Sequence, residues 1–242
     1  MNENMPVDWA SQMAAMANAE ARQEQPEVGV FSFKSGILSF AGNPIPGGKV
    51  DLVVLACEYE NRYFPEEFDA DNIQSPLCWA FSVDGMNMAP PKDLVTVPQS
   101  DVCATCQWFQ WDSDPKGRGG KACKSVRRFI GIPSTELDNI PKAHLGLGTI
   151  STTNAKYWSS YANSVAARTQ LPTWAVITTL TCQPDQRTMV KLGFDLATPI
   201  NEEFFPALME KREKAIEILR KPYDKREEGW DKPKEPARKR RF

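Results

Sequence analysis

The sequence predicts a β-rich α+β domain built around a small barrel or curved sheet. Three observations carry that expectation. About seven or eight short segments are rich in β-branched and aromatic residues, about two or three others show helical spacing, and every connection but one is short. The chain has 242 residues, of which 41% are hydrophobic and 25% charged. That is enough for one sizeable core, and it excludes a disordered chain, a disulfide-stapled miniprotein and a collagen-like repeat. No internal repeat is visible.

Residues 1–27 are polar and Ala-rich, with Trp9, Met13 and Met16 at helical spacing, and predict an N-terminal arm or short amphipathic helix. From Val28 the period changes. VGVFSFKSGILSFAG reads as two short strands around Lys34-Ser35-Gly36, and GGKVDLVVLACEYENRYF as a long strand buried in its first half. Residues 64–120 are dominated by Pro, Gly, Asp and Asn, with CWAFSVDG the one strand-like stretch. A structureless insert of that length needs something to organise it. ACKSVRRFIGIP and HLGLGTIST then read as strands. Thr153 or Asn154 caps a helix over 155–168, with Tyr157, Trp158, Tyr161 and Val165 on adjacent faces.

Pro184-Asp185 joins WAVITTLTC to RTMVKLGFDLA as a hairpin. Pro199 and Asn201 start a C-terminal helix of roughly 18 residues whose apolar positions are Phe205, Leu208, Met209, Ile216 and Leu219. Acids crowd its start and bases its end, as the helix dipole favours. The expected organisation is an arm over 1–27, one domain over 28–220 with a loop region at 76–124, and a disordered charged tail over 221–242.

The net charge is −2, but the average hides an imbalance. Residues 221–242 hold nine Lys/Arg against five Asp/Glu, and Lys116 to Arg128 holds Lys116, Arg118, Lys121, Lys124, Arg127 and Arg128 with no acid. Local field, rather than total charge, steers a polyanion. No apolar run approaches the roughly 20 residues of a membrane helix. The N-terminus lacks the basic-then-apolar pattern of a secretory signal, so a cytoplasmic location and no membrane partner are expected.

Six cysteines are present: Cys57, Cys78, Cys103, Cys106, Cys123 and Cys182. Cys103-Ala-Thr-Cys106 has the spacing that lets two thiolates meet one tetrahedral ion from a tight turn. Cys78 and Cys123 flank it in polar sequence and supply two further ligands for a structural zinc ion, which would hold together a loop too poor in apolar residues to fold unaided. A redox pair or unliganded thiols are the alternatives, although a thioredoxin-like unit needs a helix after the pair and WFQWDSDPKGRGG is none. Cys57 and Cys182 sit in apolar strands and read as small buried hydrophobes. His144, the only histidine, is a weaker ligand candidate.

Catalytic chemistry is poorly represented. One histidine leaves Ser-His-Asp or Cys-His catalysis resting on His144. Lys116-Gly-Arg-Gly-Gly-Lys121 is no phosphate loop, and Gly146 with Gly148 is a fragment of a dinucleotide fingerprint. The expectation is a binding protein, not an enzyme. Basic residues interleave instead with aromatics around the cysteines: Trp79, Phe81, Trp108, Phe109, Trp111 and Phe129. Rings beside Lys/Arg offer stacking faces for unpaired bases and charge for phosphates, the requirement for holding single strands without sequence preference. Lys116, Arg118, Lys121, Lys124, Arg127, Arg128, Trp108 and Trp111 are therefore the candidate nucleic-acid contacts. A strand over 123–132 would put Arg127 and Arg128 on opposite faces, and a bulge beside them is expected to turn both outward into a groove.

The string Pro76-Leu-Cys78-Trp-Ala-Phe-Ser-Val-Asp84-Gly85, then Cys103-x2-Cys106, then Gly119-Gly-Lys121-Ala-Cys123-Lys124 and Arg127-Arg128, resembles the zinc-knuckle-containing, OB-fold-like single-stranded DNA-binding proteins of tailed bacteriophages. The likeness extends to Tyr157-Trp158-Ser-Ser-Tyr161, Thr178-Thr179 and Leu192-Gly-Phe194-Asp195, over about residues 28–215. It implies an OB-like barrel with a four-cysteine zinc-knuckle insertion, Cys78, Cys103, Cys106 and Cys123 as ligands, and a DNA-facing strand around Lys121–Arg128. It further implies work in replication, recombination or transcription in the host cytoplasm, with phage or host proteins as partners. A zinc-knuckle interaction protein serving transcription or replication is the competing expectation. Phe242 closes the chain behind Arg238-Lys-Arg-Arg241 and not behind acids, so the tail is expected to add DNA affinity.

Overall fold

The structure is a computed structural model that describes residues 9, 12, 13, 16, 28–65, 75–115 and 119–221. The expected tail over 222–242 and most of the arm lie outside these residues; of the arm, Trp9, Gln12, Met13 and Met16 are helical and exposed. The architecture is α+β, a large mixed sheet curled into a half-barrel with a few helices. No helix among the described residues is long and apolar enough to cross a membrane.

Nine strands form the sheet: β1 (Val28–Ser32), β2 (Ser39–Phe40), β3 (Asn43–Pro44), β4 (Lys49–Tyr63), β5 (Cys78–Ser82), β6 (Lys124–Pro133), β7 (Leu145–Ile150), β8 (Val176–Asp185) and β9 (Met189–Pro199). Their order is β3-β2-β1-β7-β6-β4-β8-β9, with β5 on β4. All pairs are antiparallel except β1 with β7. β4 pairs with β6 along most of its length, with β8 through Lys49–Leu52 and with β5 through Tyr59–Tyr63. Strand β4 thus carries the sheet at one end and the polar loop region at the other.

Helix α1 (Ala155–Thr169) and helix α2 (Phe205–Leu219) complete the fold, and each belongs to a separate core. Trp158, Tyr161 and Val165 of α1 join Phe31, Leu52, Val54, Phe129, Leu180 and Leu192. Leu208, Ala215 and Leu219 of α2 join Val53, Leu55, Ile130, Ile132 and Leu145. Each fully buried Leu, Ile or Phe contributes about 1.5–3 kcal/mol from surface removed from water. Met209, expected in the core, is 55% exposed, and Lys211 is buried in its place. The stripe that meets the sheet runs Leu208, Lys211, Ala215, Leu219, and Met209 lies about 100° away from it. Lys211 donates there from Nζ to the carbonyl of Pro141 at 3.1 Å.

Gly146 and Gly148 turn out to be packing residues. A Cβ at Gly146 would stand 2.2 Å from Cε2 of Phe31, and one at Gly148 2.3 Å from Cε1 of Phe129. These glycines let two rings lie close against the strand, a packing reason for both of them.

The end of α2 is tied to β4. Arg220 donates from Nε to Oε2 of Glu58 at 2.9 Å and from a terminal nitrogen to Oε1 at 2.6 Å, a two-pronged contact with a carboxylate only 4% exposed. Because the Arg220 side chain is 47% exposed, water screens part of this interaction. Arg220→Ala leaves the Glu58 carboxylate buried without that fork and is expected to cost about 1–2 kcal/mol in urea unfolding. The double variant with Glu58→Gln should recover part of the loss. Equal stability of Arg220→Ala and the parent would show that the contact is not structural.

Candidate nucleic-acid and metal site

Alternation along the second half of β4 puts Tyr59, Asn61 and Tyr63 on one face, and the loop between β5 and β6 folds over that face. Asn61 donates from Nδ2 to the sulfur of Met88 at 3.2 Å and accepts from the Ser125 hydroxyl at 2.8 Å. Trp108 stacks on Tyr63, with ring centroids 4.9 Å apart and planes 15° from parallel, and donates from Nε1 to Gln99 Oε1 at 3.0 Å. The Cys103–Cys106 segment is a tight turn in which the Cys106 N–H donates to the Cys103 carbonyl at 3.1 Å. The Cys123 N–H donates to the carbonyl of Trp108 at 2.8 Å, which closes the loop.

Cys78, Cys103, Cys106 and Cys123 are all buried and line one cleft, with Asn61, Tyr63 and Phe109 beside them. Burial raises the pKa of Cys78, Cys103 and Cys123, and neighbouring thiols of the set raise it further. Cys123 is pushed up to about 12, by burial first and then by Cys103, Cys106 and Cys78. The four sulfurs therefore share one electrostatic environment. Among the described residues, no three Cys, His, Asp or Glu side chains already stand in a metal-holding arrangement. In chemical terms the four thiols that line the cleft are soft sulfur donors.

The other two cysteines behave as small core residues. Cys182 is buried, and burial pushes the half-buried Cys57 thiol up to about 12. His144 is not at the cleft. The Glu136 carboxylate accepts its backbone N–H at 2.6 Å and lies 3.1 Å from its Nδ1.

The candidate nucleic-acid residues divide sharply. Lys116 and Arg118 lie outside the described residues. Trp111 is 72% exposed, and Lys121 Nζ lies 5.5 Å from its ring centroid and 3.7 Å from that of Phe109. Lys124 is exposed, 3.4 Å from Asp114 Oδ2. Trp108 stacks on Tyr63 and bonds Gln99, so one face of its half-buried ring packs the loop.

Arg127 and Arg128 correct the expectation of an outward groove, since both are buried, at 8% and 7% exposure. β6 pairs without interruption from Lys124 to Ile130, and the bulge falls in β4 between Val54 and Ala56. Arg127 stands opposite Tyr59, with its guanidinium carbon 3.7 Å from the ring centroid, and donates to the Ser159 hydroxyl of α1 at 3.0 Å. Arg128 stands opposite Glu58, 5.8 Å from the Phe81 ring. Both cations are used inside the protein, and the β4 partners that draw them in are distant in sequence. Asn61 and Tyr63 were missed as cleft residues, although alternation past Cys57 would have aligned them.

No protein-family model, characterised protein or solved structure matches this chain.

Arg127→Met removes the stacking on Tyr59 and the bond to Ser159 but keeps an apolar stem. It is expected to lower stability by about 1–2 kcal/mol in urea unfolding, with the single-strand affinity of the folded fraction unchanged. Unaltered stability with weakened binding would return Arg127 to the interface.

Proposed function

We propose that this chain is a sequence-independent single-stranded DNA-binding protein, of the kind that tailed bacteriophages carry, acting in the host cytoplasm in replication, recombination or transcription. The observation that carries the reading is Trp111, a large ring left 72% exposed within reach of the Lys121 ammonium. An isolated exposed Trp is costly surface, whereas one flanked by lysine is a stacking platform with charge for the adjoining phosphate. Phe109 and Lys124 extend it. The curled half-barrel is compatible with an OB-like barrel, an architecture suited to such binding.

Cys78, Cys103, Cys106 and Cys123 are the residues that would hold a zinc ion, making the loop a zinc knuckle. The cation would compensate the thiolates of Cys78, Cys103 and Cys123, which burial otherwise disfavours, and would cross-link the loop to the sheet. Four sulfur ligands fill a tetrahedral site and leave no position for a substrate, so the role assigned is structural and the protein is read as a binder, not an enzyme.

One observation favours a second reading, a zinc-knuckle interaction protein for replication or transcription factors. The same loop region exposes Val83, Met86, Leu94, Val97 and Val102. A partner that stays bound after nuclease treatment and in high salt would favour that role.

Titration of fluorescent oligo(dT) at several salt concentrations tests the leading reading. Trp111→Ala should weaken binding about tenfold at every salt concentration and leave the slope intact. Lys121→Ala and Lys124→Ala should each reduce the salt slope by about 0.7. Wild-type protein that fails to bind at low salt overturns the reading.

Purified protein should also carry about one zinc per chain by elemental analysis, and Cys106→Ser should lose it along with protease resistance of the loop. Equal metal content in the two proteins refutes the ligand assignment.

A further inference from the structure

A second aromatic–cation cluster lies at the start of α1. Tyr157 is half-buried, and two ammonium groups converge on its ring from different elements. Lys156 Nζ is 5.0 Å from the ring centroid, and Lys191 Nζ, from β9, is 5.8 Å from it. Both lysines are exposed, and neither forms an ion pair with a described residue. Asp185, whose carboxyl is held below its usual range mainly by the Arg187 and Thr188 backbone N–H groups and in smaller part by Lys191, is the acid on that side. The first turn of α1 contains no acid. Two ammonium groups beside one ring give a site of positive charge that suits an anion next to an aromatic face.

This cluster is joined to the Trp111 platform by a short bridge of structure. Lys124 is followed by Ser125, whose carbonyl accepts a hydrogen bond from the Thr152 hydroxyl. Thr152 lies in the turn that enters α1, three residues before Ala155. Beneath the junction Arg127 bonds Ser159, fixing α1 against β6. Lys121 and Lys124 thus lie on the chain that leads into this junction, and Lys156, Tyr157 and Lys191 lie beyond it.

We propose that Tyr157, flanked by Lys156 and Lys191, is a second stacking platform for the same single strand, reached from Trp111 across the Ser125–Thr152 contact. This inference rests on the single-strand reading above. A base would stack on the exposed part of the Tyr157 ring while the two lysines hold adjoining phosphates. The chain would then occlude a longer stretch of nucleic acid than one platform covers.

The test uses the full chain and oligo(dT) of roughly 20 nucleotides, longer than the span of a single small binding fold. Tyr157→Ala is expected to weaken binding about tenfold and to shorten the occluded length, whereas Tyr157→Phe, which keeps the ring, should bind as wild type. Lys156→Ala with Lys191→Ala should reduce the salt slope by about 1.4. These two side chains are exposed, so the double variant keeps the test valid if Tyr157→Ala fails to fold. Ultraviolet cross-linking of the wild-type complex should place an adduct on the peptide containing Tyr157. If Trp111→Ala is impaired while the Tyr157 and lysine variants bind as wild type, this platform is overturned and the single-strand reading stands. If wild-type protein does not bind oligo(dT), both fall together.

Discussion

Strand β4 sets the terms for everything packed around it. Leu52 to Ala56 are buried on consecutive positions, so the strand is covered on both faces there. A strand in that state needs an apolar layer above and below. Helices α1 and α2 provide the two layers, with Leu52 and Val54 in one core and Val53 and Leu55 in the other. The bulge between Val54 and Ala56 then shifts the alternation once, so the rest of β4 presents Tyr59, Asn61 and Tyr63 to one side and Glu58 and Glu60 to the other. One strand thus serves as hydrophobic spine for half its length and as floor of a polar site for the remainder.

That division explains where the charge went. Arg127 and Arg128 fall in the central strand β6, between β4 and β7, where no side chain of either face reaches water easily. The Tyr59 ring and the Ser159 hydroxyl accommodate Arg127, and Arg128 meets the face that carries Glu58 and Glu60. A buried guanidinium is tolerable only with such partners. Read in isolation, KSVRRF has the charge of a binding strand. The partners that decide its fate lie some 70 residues earlier, and register is not visible in a single sequence.

Local signals were legible where short-range physics decides them. The helix over 155–168 appears as Ala155–Thr169, and the hairpin around Pro184-Asp185 appears as β8 and β9. The burial of Cys182 followed from the apolar strand that holds it, while Cys57, in a strand of the same kind, is half-buried. Cys103 and Cys106 form the tight turn that their spacing predicts, and Cys78 and Cys123, which flank the pair in sequence, line the same cleft. What spacing does not reveal is which Trp is free. Trp108 and Trp111 sit three residues apart in the same polar segment, yet one lies flat on Tyr63 and the other in solvent. Likewise the parallel pairing of β1 with β7 joins segments far apart in the chain, and nothing local announces it.

Removing the two arginines from the surface changes how a polyanion would be held. With Arg127 and Arg128 committed inside, the described cations beside the two rings include Lys121, Lys124, Lys156 and Lys191. Lysine is a flexible point charge without the planar fork of arginine, so it favours phosphate contacts that tolerate any base sequence and any local backbone geometry. Aromatic rings between such lysines add attraction that is equally indifferent to sequence, because every base offers a face. The two effects differ in their response to ions: the lysine contribution fades as salt rises, while stacking persists. The net charge of −2 averages over the whole chain, so any steering of a polyanion would come from the local field of these lysines. Arg127 acts at one remove: it ties α1 to β6, the strand that bears Lys124, and so contributes to stability and not to contact with a polyanion.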